Sequence, residues 1–235
     1  MGFKPSRILF FYLLFISFLF SVGAQGLDDW YDKDPQASFY RGIRPDLLKL
    51  MEKNHLEDLP ERLLYDRLRE GVQKKVPAQV LLNALWQDLD NFLYLRDQLR
   101  IVFGELSGKN ITLEGFLTRG GIVLRSGVSR SLIPIFLDWL RNSKASLDRG
   151  MSALLTVTAV QTRFPLEDEL ILDMTRNLTS SQEPEERFPS LSGLFTRGRS
   201  VGLSPTEMAR TTIIILGKGG TLLMVEQEFL RRSRK

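Results

Sequence analysis

The chain has 235 residues, with 32 basic and 28 acidic side chains, one histidine and no cysteine. The absence of cysteine excludes disulfides, thiolate metal sites, cysteine nucleophiles and a lipoprotein anchor, and one histidine excludes a multi-histidine metal site within a single chain. A hydrophobic fraction of 43% is ordinary for a globular protein, so a folded chain is expected.

A secretory signal is predicted over residues 1–24. Two basic residues precede an uncharged, apolar run at 8–22, and small residues follow it. Cleavage is expected between Ala24 and Gln25. Two alternatives stay open: a buried N-terminal helix, and an uncleaved membrane anchor, although the run is shorter than the roughly 18 to 20 apolar residues that a spanning helix needs.

Removal of the signal leaves 211 residues with 30 basic and 28 acidic side chains, a net charge of +2. A balance so close to neutral argues against a nucleic-acid partner, for which a concentrated basic face is expected. An exported chain without cysteine must be stabilised by its core alone, which about 210 residues can achieve. We therefore favour a periplasmic or secreted protein of a bacterial envelope.

Residues 25–45 read as an N-terminal arm or linker that combines acidic and aromatic side chains. The spacing of Asp28, Asp29, Asp32 and Asp34 hints at a calcium loop, but the turn glycine and the closing glutamate of such a loop are missing. We therefore predict no metal and no cofactor. The segment is expected to pack back on the rest of the protein.

Residues 46–235 are predicted to form a single all-α domain of about nine to ten helices in antiparallel hairpins. The prediction depends on apolar spacing near 3.6 residues and on capping signals, among them capping boxes at Asp58 and at Ser204. Pro134 is expected either to lie near the first turn of its helix or to kink that helix. The predicted helices are 45–51, 58–72, 77–103, 112–125, 129–140, 147–161, one from 165 onwards, 191–199, 204–216 and 222–232.

Four junctions between these helices resemble one another, at 69–77, 125–129, 162–165 and 199–205. Each has a basic residue near a helix end, usually a glycine for the left-handed position, an apolar residue, and then Pro or Ser. The second helices start 52, 36 and 39 residues apart, against roughly 34 to 47 in helical-hairpin repeats. The pattern predicts stacked hairpins, either as a short α-solenoid or as a bundle, although any antiparallel helix pair can use such turns.

Few residues of the sequence are candidates for a catalytic role. His55 reads as a surface or capping residue, and the glycine-rich segment 217–221 reads as a turn because it lacks the spacing of a phosphate-binding loop. Glu70 and Glu114 are the candidates for a general acid of a glycan-cleaving enzyme. Such an acid needs a desolvated carboxyl with a raised pKa, and a groove around it.

The C-terminal helix combines apolar residues with a basic end at Arg231, Arg232, Arg234 and Lys235. It predicts either a packed terminal helix or a weak contact with an anionic membrane surface. The leading hypothesis is an exported, non-enzymatic helical module that binds an unknown protein partner. A cell-wall glycan-cleaving enzyme and an envelope protein anchored by its N-terminus are the alternatives, and the oligomeric state is left open.

Overall fold

The computed structural model describes residues 26–28, 30–32, 34–104 and 112–232. Across these ranges the chain is helical or irregular and forms no β-strand, which confirms the all-α prediction. None of the described helices combines the length and the apolarity that crossing a bilayer requires. The predicted signal segment, its cleavage point between Ala24 and Gln25, and the basic residues Arg234 and Lys235 lie outside the described residues.

Ten α-helices of 11 residues or more lie within the described ranges, close to the nine to ten predicted. Residues 26–28 and 30–32 are also helical. Two 3₁₀ helices occupy Pro35–Ile43 and Glu185–Arg187. The α-helices are α1 Arg44–Leu56, α2 Glu61–Gln73, α3 Ala78–Phe103, α4 Leu113–Arg125, α5 Leu132–Asn142, α6 Leu147–Gln161, α7 Asp168–Ser180, α8 Ser190–Ser200, α9 Pro205–Gly217 and α10 Leu222–Arg232.

The chain divides into two compact units, residues 1–93 and 94–235, and the boundary falls inside α3. In the first unit the 3₁₀ helix Pro35–Ile43 packs against α1, which also packs against α2. Trp30 and Tyr40 of the predicted arm are buried, and the Tyr40 hydroxyl donates to the carbonyl of Val76 at 2.9 Å. The segment therefore packs against the turn that follows α2. A single domain over 46–235 stays a prediction.

The second unit is built as two layers of helices. One layer runs α4, α6, α8, α10, and the other runs α5, α7, α9, because each helix packs against the helix two positions along the chain. Contacts between α6 and α7, between α8 and α9, and between α9 and α10 join the two layers. Stacking of hairpins in two layers is the arrangement of an α-solenoid, and it confirms stacked hairpins for the three junctions of the second unit, at 125–129, 162–165 and 199–205.

Several helices end at a residue with a left-handed backbone conformation, after which the chain turns towards the next helix. Asp58, Lys75, Gly127, Gly202 and Gly219 have φ angles of 53°, 54°, 89°, 91° and 78°. Each amide donates to the carbonyl three residues earlier, at 2.9 to 3.1 Å. This is the helix ending expected at the junctions, and the glycine-rich segment 217–221 is confirmed as a turn between α9 and α10.

The glycine of the first junction has a different role from the one predicted. Gly71 lies inside α2, where Leu81 of α3 packs against the position that a side chain would fill, and Lys75 takes the left-handed conformation instead. Gly198 of α8 is placed in the same way against Met208 of α9, also ten residues later. In both hairpins the missing side chain lets the two helices approach closely.

The capping box predicted at Asp58 is wrong. Asp58 has a left-handed φ of 53°, whereas a residue that caps the start of a helix has an extended backbone. The helix α2 instead begins at Glu61, after Pro60, without a side-chain cap. The second predicted capping box, between Ser204 and Glu207, is confirmed.

The helix predicted from Pro165 begins three residues later, at Asp168. The side-chain oxygen of Gln161 accepts a hydrogen bond from the amide of Leu166 at 2.6 Å. This contact holds the intervening backbone outside the helix. In contrast, α6 and α10 have the bounds predicted for them, and Pro134 lies in the first turn of α5.

Two glycines of α8 can be used to test whether α8 and α9 depend on a glycine to approach closely. A methyl group at Gly193 meets only the end of Arg197, at 3.9 Å, whereas one at Gly198 meets the buried side chains of Met208 and Phe229. We expect Gly193→Ala to stabilise the fold by about 0.5–1 kcal/mol, because alanine favours the helix. We expect Gly198→Ala to destabilise it by about 1–3 kcal/mol through overpacking. Urea unfolding of both variants measures the difference, and equal effects would contradict the account.

Candidate interaction surface

Glu70, the first candidate general acid, is held as a charged group. Its carboxylate accepts a hydrogen bond from Lys74 at 2.5 Å and pairs with Arg67, and its side chain is 42% exposed. The hydrogen bond from Lys74 and the charge of Arg67 lower its pKa from the ordinary value. A general acid needs the opposite shift, so this geometry argues against a catalytic role for Glu70.

Glu114, the second candidate, lies in the first turn of α4, next to the capping Thr112. Its side chain is partly exposed, and its backbone carbonyl accepts from the Thr118 hydroxyl at 2.8 Å. An acidic residue in a first turn is favoured by the helix dipole, which accounts for its position without catalysis. Glu70 belongs to the first unit and Glu114 to the second.

The other candidate residues of the sequence have structural contacts. His55 lies in the last turn of α1, and its Nδ1 is 3.3 Å from a carboxylate oxygen of Glu61. Asp28 pairs with Arg44 at 2.5 Å, and Asp34 caps the 3₁₀ helix that follows it. In the part of the chain that the structure describes, no three His, Asp or Glu side chains are grouped so that they could hold a metal ion.

The last hairpin, α9–α10, presents an apolar groove at the end of the two layers. The groove has a volume of about 420 Å³, and its apolar part is formed by Ile214, Ile215 and Met224. Ile214 is 52% exposed and Met224 is 51% exposed. We call it the end groove; its polar wall is formed by Gln227, Glu228, Arg231 and Arg232.

The end groove lies on a side of α9 that no described helix covers. Elsewhere in the second unit a helix is covered by the helix two positions along, but the described chain holds no helix beyond α10 to pack on α9. The terminal units of helical stacks ordinarily carry a polar outer face. Here two long apolar side chains stay half-exposed, which marks a surface suited to a partner.

The basic excess of the sequence lies in its last 31 residues, which include this hairpin. Residues 205–235 hold six basic and three acidic side chains, whereas residues 25–204 hold 24 basic and 25 acidic ones. Within the described hairpin, residues 205–232, four basic side chains outnumber three acidic ones, and the other two basic residues, Arg234 and Lys235, lie outside the described residues.

An ion-pair cluster fixes the basic wall of the end groove. Glu228 accepts two hydrogen bonds from Arg231, at 2.7 and 2.8 Å, and one from Arg232 at 2.9 Å. These bonds lower the pKa of Glu228 to about 2, so its carboxylate is ionised at neutral pH. A guanidinium has five N–H donors, so both arginines can hold Glu228 and still bind an acidic ligand.

A buried network holds the start of α10 in place. Arg149 of α6 donates to the carbonyls of Thr179, Ser181 and Glu183 at 2.7, 2.8 and 2.9 Å. The Glu183 side chain, 2% exposed, in turn accepts from the amide of Leu222 at 2.8 Å. A carboxylate at the amino end of a helix is favoured by the helix dipole. The loop after α7 therefore anchors the helix that forms one side of the end groove.

The described residues also line grooves elsewhere on the surface. In the first unit, Phe39, 83% exposed, lines a groove of about 500 Å³ with Tyr40 and Val76. In the second unit, Ile135 and Trp139 of α5 line a shallow one of about 600 Å³. Neither lies in the hairpin that carries the basic excess.

Two apolar runs in the sequence indicate part of the end groove. The run Ile213-Ile214-Ile215 and the run Leu222-Leu223-Met224 each place apolar residues on more than one side of a helix, which one buried stripe does not require. The basic end at Arg231 and Arg232 was recognised from the sequence. The groove itself was missed, because its position depends on which helices flank α9.

Comparison of the chain with protein-family models, with curated proteins and with solved structures finds no match.

The anchoring role of Glu183 can be measured by substitution. We expect Glu183→Ala to lower the free energy of unfolding by about 1–3 kcal/mol, because it leaves the buried amide of Leu222 without an acceptor. Glu186→Ala is the matched control on the same loop, since Glu186 is exposed, and it should stay within about 0.5 kcal/mol of the parent. Chemical unfolding distinguishes the two, and an equally small effect at both positions would contradict the anchoring role.

Proposed function

We propose that the protein is an exported, non-enzymatic helical module that binds another protein of the envelope through the end groove. The end groove carries this proposal: it is an apolar surface on α9 and α10, at the position where the packing order of the described helices would place a further helix. Stacked helical hairpins elsewhere serve as binding surfaces, and that comparison is one of architecture. The signal-like residues 1–24 support export.

The charges in the end groove support binding rather than catalysis. The carboxylate in the end groove, Glu228, has its pKa lowered to about 2 by two arginines, so it is suited neither to donate a proton nor, as a weak base, to accept one at neutral pH. Apolar side chains beside fixed charges are instead typical of the centre and the rim of a protein interface.

Site-specific photocrosslinking tests this function. The full chain, with a photoreactive amino acid in place of Ile214, is produced in the cells that make the protein, and the envelope fraction is irradiated. We expect a discrete crosslinked product that contains a second protein, identified by mass spectrometry, because Ile214 lines the end groove.

The matched control is Ile135, a residue of the same type with the same exposed fraction, 52%. The crosslinker at Ile135 should give no corresponding product. No product at Ile214, or the same products at both positions, would contradict the proposed function. Recovery of the chain in the cytoplasmic fraction alone would contradict export.

A further inference from the structure

We infer that the ligand of the end groove is an amphipathic α-helix of another protein, with acidic side chains beside its apolar face. This inference rests on the proposed function and adds the chemistry of the partner.

The packing rule of the second unit favours a helix as the ligand. Each described helix from α4 to α8 packs against the helix two positions further along. A helix that continued this order would pack on α9 and follow α10, and the end groove is lined by these two helices. A partner helix can therefore occupy the position of the next helix of the stack, in the helix-in-groove mode of recognition.

The apolar residues of the end groove define the face that the ligand must present. Ile214 and Ile215 lie on α9, and Met224 lies on α10. A helix in this position would bury them with apolar residues at i, i+3, i+4 and i+7. Methionine adapts to ligand side chains of different shapes, whereas the two β-branched isoleucines are stiff and limit how the ligand can sit.

The charges around the end groove define the flanks of the ligand. Arg231 and Arg232 are held in position by Glu228, and the exposed Arg210 lies one turn before Ile214 on α9. Together with Lys218 these residues outnumber the acidic side chains of the hairpin. Arginine binds carboxylates through paired hydrogen bonds, so acidic flanks on the ligand complement this surface.

A second copy of the chain fits this surface less well. A symmetric contact would place the same patch on both subunits, and so would bring together two hairpins in each of which four basic side chains outnumber three acidic ones. Like charges brought together oppose association.

A membrane surface also fits less well. Leu222, Val225 and Phe229 of α10 are buried in the protein. The apolar residues that α10 leaves exposed are Leu223, Met224 and Leu230, a smaller apolar face than an interfacial helix offers to the lipid. A concave groove also suits a helix better than it suits a flat bilayer.

Selection from a displayed library tests the inference. The probe is a library of helical peptides with randomised surface positions, selected for binding to the protein as recovered from the envelope. We expect the enriched sequences to combine an apolar i, i+3, i+4, i+7 pattern with net negative charge. Enrichment of neutral or basic sequences, or of none, would overturn the inference.

Two pairs of variants locate the binding. Ile214→Asp should weaken binding of the enriched peptides at least about tenfold, and Ile135→Asp should leave it unchanged. Met224→Asp is a second variant on α10, and circular dichroism verifies that each variant is folded. Retained binding in both groove variants would contradict the site.

The acidic preference has its own pair of variants. Arg231→Gln removes a charge of the groove, whereas Arg141→Gln removes a similar exposed arginine that pairs with Asp138 three residues earlier on α5. Only Arg231→Gln should reduce the preference for acidic over neutral peptides. Equal effects would overturn the electrostatic part of the inference.

The competing ligands are tested with the same variants. Dimerisation of the parent protein in analytical ultracentrifugation, lost in Ile214→Asp, would show that a second copy occupies the groove and would overturn the inference. Sedimentation with phosphatidylglycerol vesicles, lost in the same variant, would overturn it in favour of a membrane. Crosslinks from Ile214 to a protein segment that is not an acidic helix would overturn the inference about the ligand. The same result would still support the proposed function, because a protein would occupy the end groove.

Discussion

The packing of each helix against the helix two positions along is the constraint on which the second unit depends. This rule produces two layers, and it lets each hairpin bury its apolar residues against its neighbours. The rule also has a consequence at the end of the stack: α9 and α10 are built like the helices before them, but the described chain provides no next helix to cover them. The end groove is thus produced by the same packing that stabilises the interior.

Two kinds of contact make this packing specific. Glycines are the first kind: because Gly198 has no side chain, the side chain of Met208 can pack directly against the backbone of α8. Polar contacts are the second kind, and they fix the positions of loops between helices. Arg149 holds the loop after α7, and Glu183 of that loop holds the first turn of α10. The wall of the end groove is therefore set by residues that do not line it, as a preorganised binding surface requires.

Local signals predicted much of the fold, and contacts distant in sequence decided the rest. The bounds of α6 and α10 and the capping box at Ser204 follow from spacing and caps within one helix. The start of α7 was predicted too early because Gln161, in the preceding helix, holds Leu166. The basic end of α10 can be read from the sequence. The half-exposure of Ile214 cannot, because it depends on which described helices pack against α9, and a local sequence pattern does not contain that information.

A ligand helix bound between α9 and α10 would change the surroundings of the methyl groups that line the end groove. Methyl NMR of the isoleucine- and methionine-labelled protein, titrated with an acidic amphipathic peptide that binds it, tests this claim directly. We expect the largest changes in chemical shift at the methyl groups of Ile214, Ile215 and Met224, whereas the methyl groups of Ile135 should be unchanged. Shifts centred on Ile135, or on the first unit, while the methyl groups of the end groove stay unchanged, would contradict it.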